Sequence, residues 1–196
     1  MIRALPEVFR TARLIAQRVD ERHLADLDRL HAEPAVAAWI NDAATGDGIS
    51  EWLASSVAPH WHMYGYGLFA IYEKYPRAGD EAGAEGAAGR AGAARPFVGR
   101  AGLVDSGNDV TEVFAEKRVV ELGFAIAPDA RGCGYATEIC GALTGLALTS
   151  LDRESVAALV RPGNAGALRV LEKLSFSPAG EIVRDGAPHL LFRRRH

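Results

Sequence analysis

The sequence predicts a single domain of mixed α/β or α+β class, on three observations. Strand-like and helix-like stretches alternate along the chain without a long internal repeat, the pattern of helices packed on a sheet. At 196 residues the chain suits one domain, and it can bury roughly 70% of its unfolded surface without help from disulfides or a metal. Hydrophobic residues make up 48% and charged residues 24%, the balance of an ordinary globule. The net charge of −3 supplies no basic field for counterion-driven nucleic-acid binding. Cys133 and Cys140 would lie ~10 Å apart at helical rise, too far for a disulfide, and so small a number fits a reducing cytosol. The N-terminal residues mix Arg3, Glu7, Arg10 and Arg13 into apolar positions and lack a signal-peptide core. The longest uncharged run, Trp52 to Tyr72, is interrupted by Pro59, Gly65 and Gly67, unlike a membrane span. These features predict a soluble, cytoplasmic protein with no metal.

The elements follow in order. Arg13 to Arg18 reads as a short strand. Asp20 offers an N-cap to a helix over Glu21 to Ala32, where Leu24, Leu27 and Leu30 recur at helical spacing. Pro34 suits the first turn of a second helix reaching Ile40, and Asn41 to Gly48 is turn chemistry. A third helix covers Ser50 to His62, stopped by Gly65 and Gly67, and a strand follows over Leu68 to Tyr72. From Arg77 to Arg95, 13 of 19 residues are Ala or Gly. Nothing apolar there exceeds Ala, so burial cannot offset the entropy of ordering, and the segment reads as a flexible hairpin insertion within one domain spanning 9–196. A strand resumes at Phe97 to Val104, and Asp105 to Lys117 is a polar connection. The strongest strand signal is Arg118 to Ala127, which Pro128-Asp129-Ala130 ends. A helix from Gly134 to Ser150 buries Ile139, Leu143 and Leu146. Then come a strand (Ser155 to Val160), a helix from Asn164 to Leu174, and two last strands near Ala179 to Arg184 and His189 to Arg194.

The chemistry points to one turn, Arg131-Gly132-Cys133-Gly134-Tyr135-Ala136, set between a strand and a helix. Glycines leave backbone N–H groups uncovered and a helix N-terminus adds orphan donors with partial positive charge, which together suit a phosphate or diphosphate. A tight turn with no ligand is the alternative. A P-loop needs a lysine that does not follow these glycines. A dinucleotide fingerprint would put Thr137 at its third glycine, would not tolerate Pro128 to Arg131 between strand and loop, and would place its acid after the next strand, whereas Asp152 precedes it. With period two, Val119, Glu121, Gly123, Ala125 and Ala127 share one strand face. The small side chains at 123, 125 and 127 suit close approach by a ligand or packing against a helix.

The spacing Arg131, Gly134, Ala136 fits Arg/Gln-x-x-Gly-x-Gly/Ala, and here the chain resembles the GNAT superfamily of acyl-CoA-dependent N-acyltransferases, in its RimJ/RimL-type branch. The resemblance runs from about Phe9 to the C-terminus. It rests on Thr11-Ala-Arg-Leu14, Glu121-Leu-Gly-Phe124, Ala127 to Glu138, and Asn164 with Val170-Leu-Glu-Lys-Leu-Ser-Phe176. It implies a twisted mixed sheet of about seven strands, flanked by helices and splayed between two of them to admit acetyl-CoA or another acyl-CoA. Arg131, Gly132, Cys133, Gly134, Tyr135 and Ala136 would cradle the diphosphate. Phe124, Ala125 and Ile126 would offer backbone groups to the pantetheine, and Asn164 would bond near its amide end. Two departures stand out. Cys133 replaces a common Lys or Arg, and Ser175 replaces the usual Gly before Phe176.

Acyl transfer needs a neutral amine, a proton acceptor and oxyanion stabilisation. Glu121 is the candidate base, with a solvated strand glutamate as the alternative. The tyrosine acid that many relatives carry seven residues after the asparagine is Leu171 here, so the thiolate would be protonated by solvent. An α-amino group costs only about 1.4 kcal/mol to deprotonate at pH 7 and a lysine about 4.6 kcal/mol, which favours a peptide N-terminus or small-molecule amine as partner. Trp52, Trp61, Tyr64, Tyr66 and Phe69 either wall an acceptor pocket or, more often at such spacing, form core. The resemblance is compatible with a monomer or homodimer. A non-catalytic acyl-CoA-binding module on the same fold is the other reading.

Overall fold

The protein is described by a computed structural model over residues 3–40, 45–75 and 95–196. The hairpin insertion expected at 77–95 lies, except for Arg95, outside the described residues, as do residues 41–44 of the preceding turn.

Eight strands form one sheet: β1 (Val8–Arg10), β2 (Leu14–Arg18), β3 (Leu68–Glu73), β4 (Phe97–Asp105), β5 (Val119–Ile126), β6 (Ser155–Val160), β7 (Ser177–Arg184) and β8 (Ala187–Arg194), in the order β1-β2-β3-β4-β5-β6-β8-β7. The eighth, unexpected strand is β1, three residues that pair with Ala16 and its neighbours, too short to give an alternation signal. Seven α-helices are described: α1 (Leu24–Ala32), α2 (Pro34–Ala37), α3 (Gly48–Trp52), α4 (Ala58–Tyr64), α5 (Gly107–Phe114), α6 (Tyr135–Thr149) and α7 (Ala165–Lys173), with a π turn, Leu53–Val57, joining α3 to α4. Asp20 caps a short 3-10 turn before α1, accepting from the Arg22 N–H while His23 accepts from the Asp20 N–H.

The polar connection expected over Asp105 to Lys117 is instead helical in its middle. Only Val110 and Phe114 of α5 are buried, in a small cluster with Val119, Ala157 and Leu191. Two apolar positions one turn apart are too few for the periodicity to rise above a polar background; tertiary packing makes this helix.

All strand pairs but one are antiparallel. The exception joins β5 to β6, and that parallel ladder has three rungs: Val119↔Ser155, Val120↔Val156 and Glu121↔Ala157. Beyond it β5 continues along β4 as far as Ile126↔Gly99, while the end of β6 stays with β8. The two strands therefore part after Glu121 and leave a fork. On one face of β5, Val120 and Leu122 are buried with Ile139, Cys140 and Leu143 of α6. On the other, Ala125 packs with Leu30 and Val36 of α1 and α2.

Candidate active site

The fork is bounded by two turns and spanned by α2. Pro128–Ala130 forms a 3-10 turn after β5, and Gly132 and Gly134 then take positive φ values of 77° and 78°, a conformation open to glycine at little cost. A Cβ at Gly132 would meet nothing within 4 Å. The N–H groups of Gly132, Cys133, Gly134 and Ala136 donate to no group among the described residues, so the turn and the start of the 15-residue α6 present converging donors to whatever enters the fork. An anion with several acceptor oxygens fits such a cradle. The Arg131 side chain is spent elsewhere: its Nε donates to Ile126 O at 3.2 Å and its Nη2 to Ala35 O at 3.1 Å. From the other prong, Arg161 Nη1 donates to Ala38 O at 3.0 Å. These two arginines hold α2 and the residue after it across the mouth of the fork.

Of the expected pantetheine partners, one is corrected. The Ala125 carbonyl points at β4, where it would collide with any Cβ on Gly99, and the Ala127 N–H likewise donates to Val98 O of β4. Because backbone direction alternates along a strand, the groups facing the fork are those of Phe124 and Ile126. Ala125 contributes smallness and helix packing. Asn164 is the N-cap of α7, its Oδ1 accepting from the Ala167 N–H at 3.1 Å, so the carbonyl end of its side-chain amide is engaged within the helix. Tyr135 is buried as the first residue of α6, and Cys133 is half-buried with its Sγ 3.6 Å from Arg131 O.

Glu121 sits on the last rung of the parallel ladder, where the fork closes, and its side chain is 15% exposed. Its Oε2 accepts from Arg184 Nη1 at 2.5 Å. Arg184 also grips Asp109 of α5, with Nη2 2.8 Å from Oδ1, and donates to Ser106 O at 2.8 Å. Burial works against both charges, but these bonds prevail, so the Arg184 pKa is raised and that of Asp109 lowered. The sequence held no sign of this contact, since Glu121 and Arg184 are 63 residues apart. Gly123, two residues on along the same face, has nothing within 4 Å of a Cβ position; it is bare toward open space.

Beside Glu121 on the same face lies its register partner, Val104. Val104 is one wall of a cavity of about 160 Å³ shared with Trp52, Ser56, Val57, His60 and Leu68. Of the aromatic residues expected either here or in the core, Trp52, Trp61, Tyr66 and Phe69 all belong to the core and Tyr64 packs against it, while Trp52 also lines this cavity. His60 is fixed as the neutral Nδ1–H tautomer: Nδ1 donates to Tyr66 O at 2.9 Å, and Nε2 accepts from the Asp105 N–H at 3.0 Å. Burial pushes its pKa down. With both ring nitrogens used, it is a wall and not a base. Leu171 is fully buried, so no acid is hidden at that position.

Nothing in the sequence near Arg13 marks it as part of the site. It reaches the glycine turn from the start of β2, donating from Nη1 to Cys133 O at 2.8 Å and from Nε to Glu138 Oε2 at 2.7 Å. Thr11 Oγ1 donates to the other Glu138 oxygen at 2.5 Å. The motif Thr11-Ala-Arg-Leu14 thus pins the first strands to the first turn of α6.

This geometry agrees with comparisons to known proteins. The family described as "Acetyltransferase (GNAT) domain" matches residues 13–177, and the chain belongs to that family; it is an acetyl-CoA-dependent N-acetyltransferase. Its fold is similar to that of an acetyltransferase from Agrobacterium tumefaciens str. C58 (TM-score 0.71, 21% identity, covering 98% of this chain and 96% of that one). It is also similar to an aminoglycoside acetyltransferase in complex with coenzyme A (TM-score 0.68, 16% identity, 93% and 95% covered). A third likeness is to spermidine N-acetyltransferase from Vibrio cholerae in complex with CoA and spermine (TM-score 0.63, 16% identity, 92% of each chain). Among the described residues no cluster of metal-ligating side chains is found, and no helix is long and apolar enough to cross a membrane.

Proposed function

We propose that this protein moves an acetyl group from acetyl-CoA to a primary amine, either a peptide or protein N-terminus or a small-molecule amine, as a RimJ/RimL-type member of its family. The observation that carries this reading is the fork, which closes on Glu121 at one end and opens at the other under the N–H groups of Gly132, Cys133, Gly134 and Ala136, which donate to no described group. The diphosphate rests on those N–H groups, each bond to a charged oxygen contributing roughly 1.5–3 kcal/mol. Arg131 contributes by holding the turn, since its guanidinium serves Ile126 and Ala35. The pantetheine runs along the fork-facing backbone of Phe124 and Ile126, with the Asn164 amide at its far end.

The amine approaches from the cavity walled by Trp52, His60 and Val104. As the C–N bond forms and the C–S bond breaks, the amine proton passes to Glu121, directly or through one water, and the CoA thiolate takes a proton from solvent. The Phe124 N–H faces the fork, where a developing oxyanion would be met. An apolar, aromatic pocket with a single carboxylate favours the less basic α-amine over a lysine, for which deprotonation at pH 7 costs about 3 kcal/mol more.

The test is thiol release from acetyl-CoA over a panel of peptides, aminoglycosides and polyamines, with wild-type protein and Glu121→Gln. The variant is expected to turn over more slowly with its pH optimum moved upward, because the amine must then lose its proton to solvent, while CoA affinity holds. An unchanged pH–rate profile would remove Glu121 from the reaction.

A further inference from the structure

We propose that Arg13 is the cation that grips the cofactor's diphosphate in this chain, taking the place of the side-chain charge that Cys133 does not carry. The inference rests on the reading of the fork as an acyl-CoA site. A cation at a helix N-terminus opposes the helix dipole, so its placement needs a cause. Glu138, in the first turn of α6, is part of that cause. Its carboxylate accepts from Thr11 Oγ1, the Arg13 N–H and Arg13 Nε at 2.5, 2.7 and 2.7 Å. Those bonds outweigh burial and keep it ionised well below the usual carboxylate range.

An anion bound at residues 132–136 would meet that negative charge within one helical turn unless a cation stood between them. Arg13 stands there. Its guanidinium lies 4.6 Å from the centre of the Tyr135 ring and hydrogen-bonds Cys133 O. The remaining amino group, Nη2, lies 3.4 Å from where a Cβ on Gly134 would be and donates to no described group. The side chain is 49% exposed. Two of the three guanidinium nitrogens are therefore fixed by protein, and the third is held beside the anion cradle, ready for a phosphate oxygen.

Calorimetric titration with CoA and with dephospho-CoA, which keeps the diphosphate and lacks the 3′-phosphate, tests this on wild type, Arg13→Gln, Arg13→Lys and the double variant Arg13→Gln/Glu138→Gln. Arg13→Gln is expected to weaken both ligands alike by about tenfold and to flatten the salt dependence of binding, with Arg13→Lys recovering most of the loss. The double variant is expected to recover only part, since a direct contact is still missing. Unchanged affinity in Arg13→Gln would overturn the proposal, as would a loss seen with CoA alone. Complete recovery in the double variant would reduce Arg13 to a neutraliser of Glu138 and overturn it too. If Arg13→Gln does not fold, Arg13→Lys carries the test, because a lysine keeps the charge and loses the fork geometry: a partial loss of equal size for both ligands is expected, and unchanged affinity for both, or a loss confined to CoA, would overturn the proposal. Wild-type protein that binds neither ligand would instead sink the acyl-CoA reading itself.

Discussion

At the scale of single residues, the site is organised by arginines that the chain brings from far away. Arg184 stands between Asp109 and Glu121, and its own side chain is only 25% exposed. Arg184→Met would remove the guanidinium that both carboxylates bind, which is expected to cost about 2 kcal/mol of stability, read as a lower urea midpoint at unchanged slope. Adding Asp109→Asn should return part of that loss; no recovery would mean that packing and not charge sets the effect. Gly123 gives the converse case. Its φ is not positive and a side chain there would meet nothing, so Gly123→Val suits a strand and is expected to leave the melting temperature unchanged or slightly raised. Because the new side chain would occupy the face beside Glu121, thiol release should fall at least tenfold. A variant that keeps full activity would show that the acyl group passes elsewhere.

Individual elements differ in how far they could be read ahead of the structure. The helix after the glycine turn matches its sequence pattern because it buries a regular face, and the strand Ser155–Val160 matches because it is a short apolar run buried on both faces. Glu121 and the turn at 131–136 were legible as candidates because period-two alternation and glycine spacing are local. Their partners were not: Arg13 lies 125 residues from Glu138, and nothing local marks a contact of that range. The same holds for the orientation of Ala125, which depends on which neighbour a strand keeps. The odd Ser175 before Phe176 has a clear structural meaning. It follows α7 with φ of 57°, a left-handed conformation that costs a residue with a Cβ about 1 kcal/mol or more. Ser175→Gly is expected to stabilise the protein by about 0.5–1 kcal/mol, measurable in equilibrium unfolding. A loss of stability would mean that the serine hydroxyl contributes more than the backbone strain takes away.

For the whole molecule, the shifted ionisations predict a two-step response to acid. Folding holds the His60 pKa below its ordinary value through burial, so the unfolded chain takes up that proton first. Its contribution is complete above about pH 6.5 and is lost as pH falls from there through the depressed value. Asp109, Glu116 and Glu138 are also lowered: burial opposes the shift, and bonds from Arg184, from Ser155 and Arg195, and from Thr11 and Arg13 overcome it. Their contributions are complete above about pH 4.5 and vanish as pH drops through the depressed values. Melting temperature against pH should therefore bend twice, and His60→Asn should abolish the upper bend alone. Persistence of that bend in the variant would assign it to another group.

The parallel seam has a mechanical consequence. Strands β1 to β5 make one antiparallel half and β6 to β8 another, and in the sheet itself they are riveted by three backbone rungs, with side-chain bridges such as Arg184 and the helix α6 lying across the joint. Few rivets make a compliant joint, so a ligand wedged into the open end works as a splint between two plates. Amide exchange at 119–121 and 155–157 would then slow when CoA fills the gap, although no atom of the ligand touches those amides.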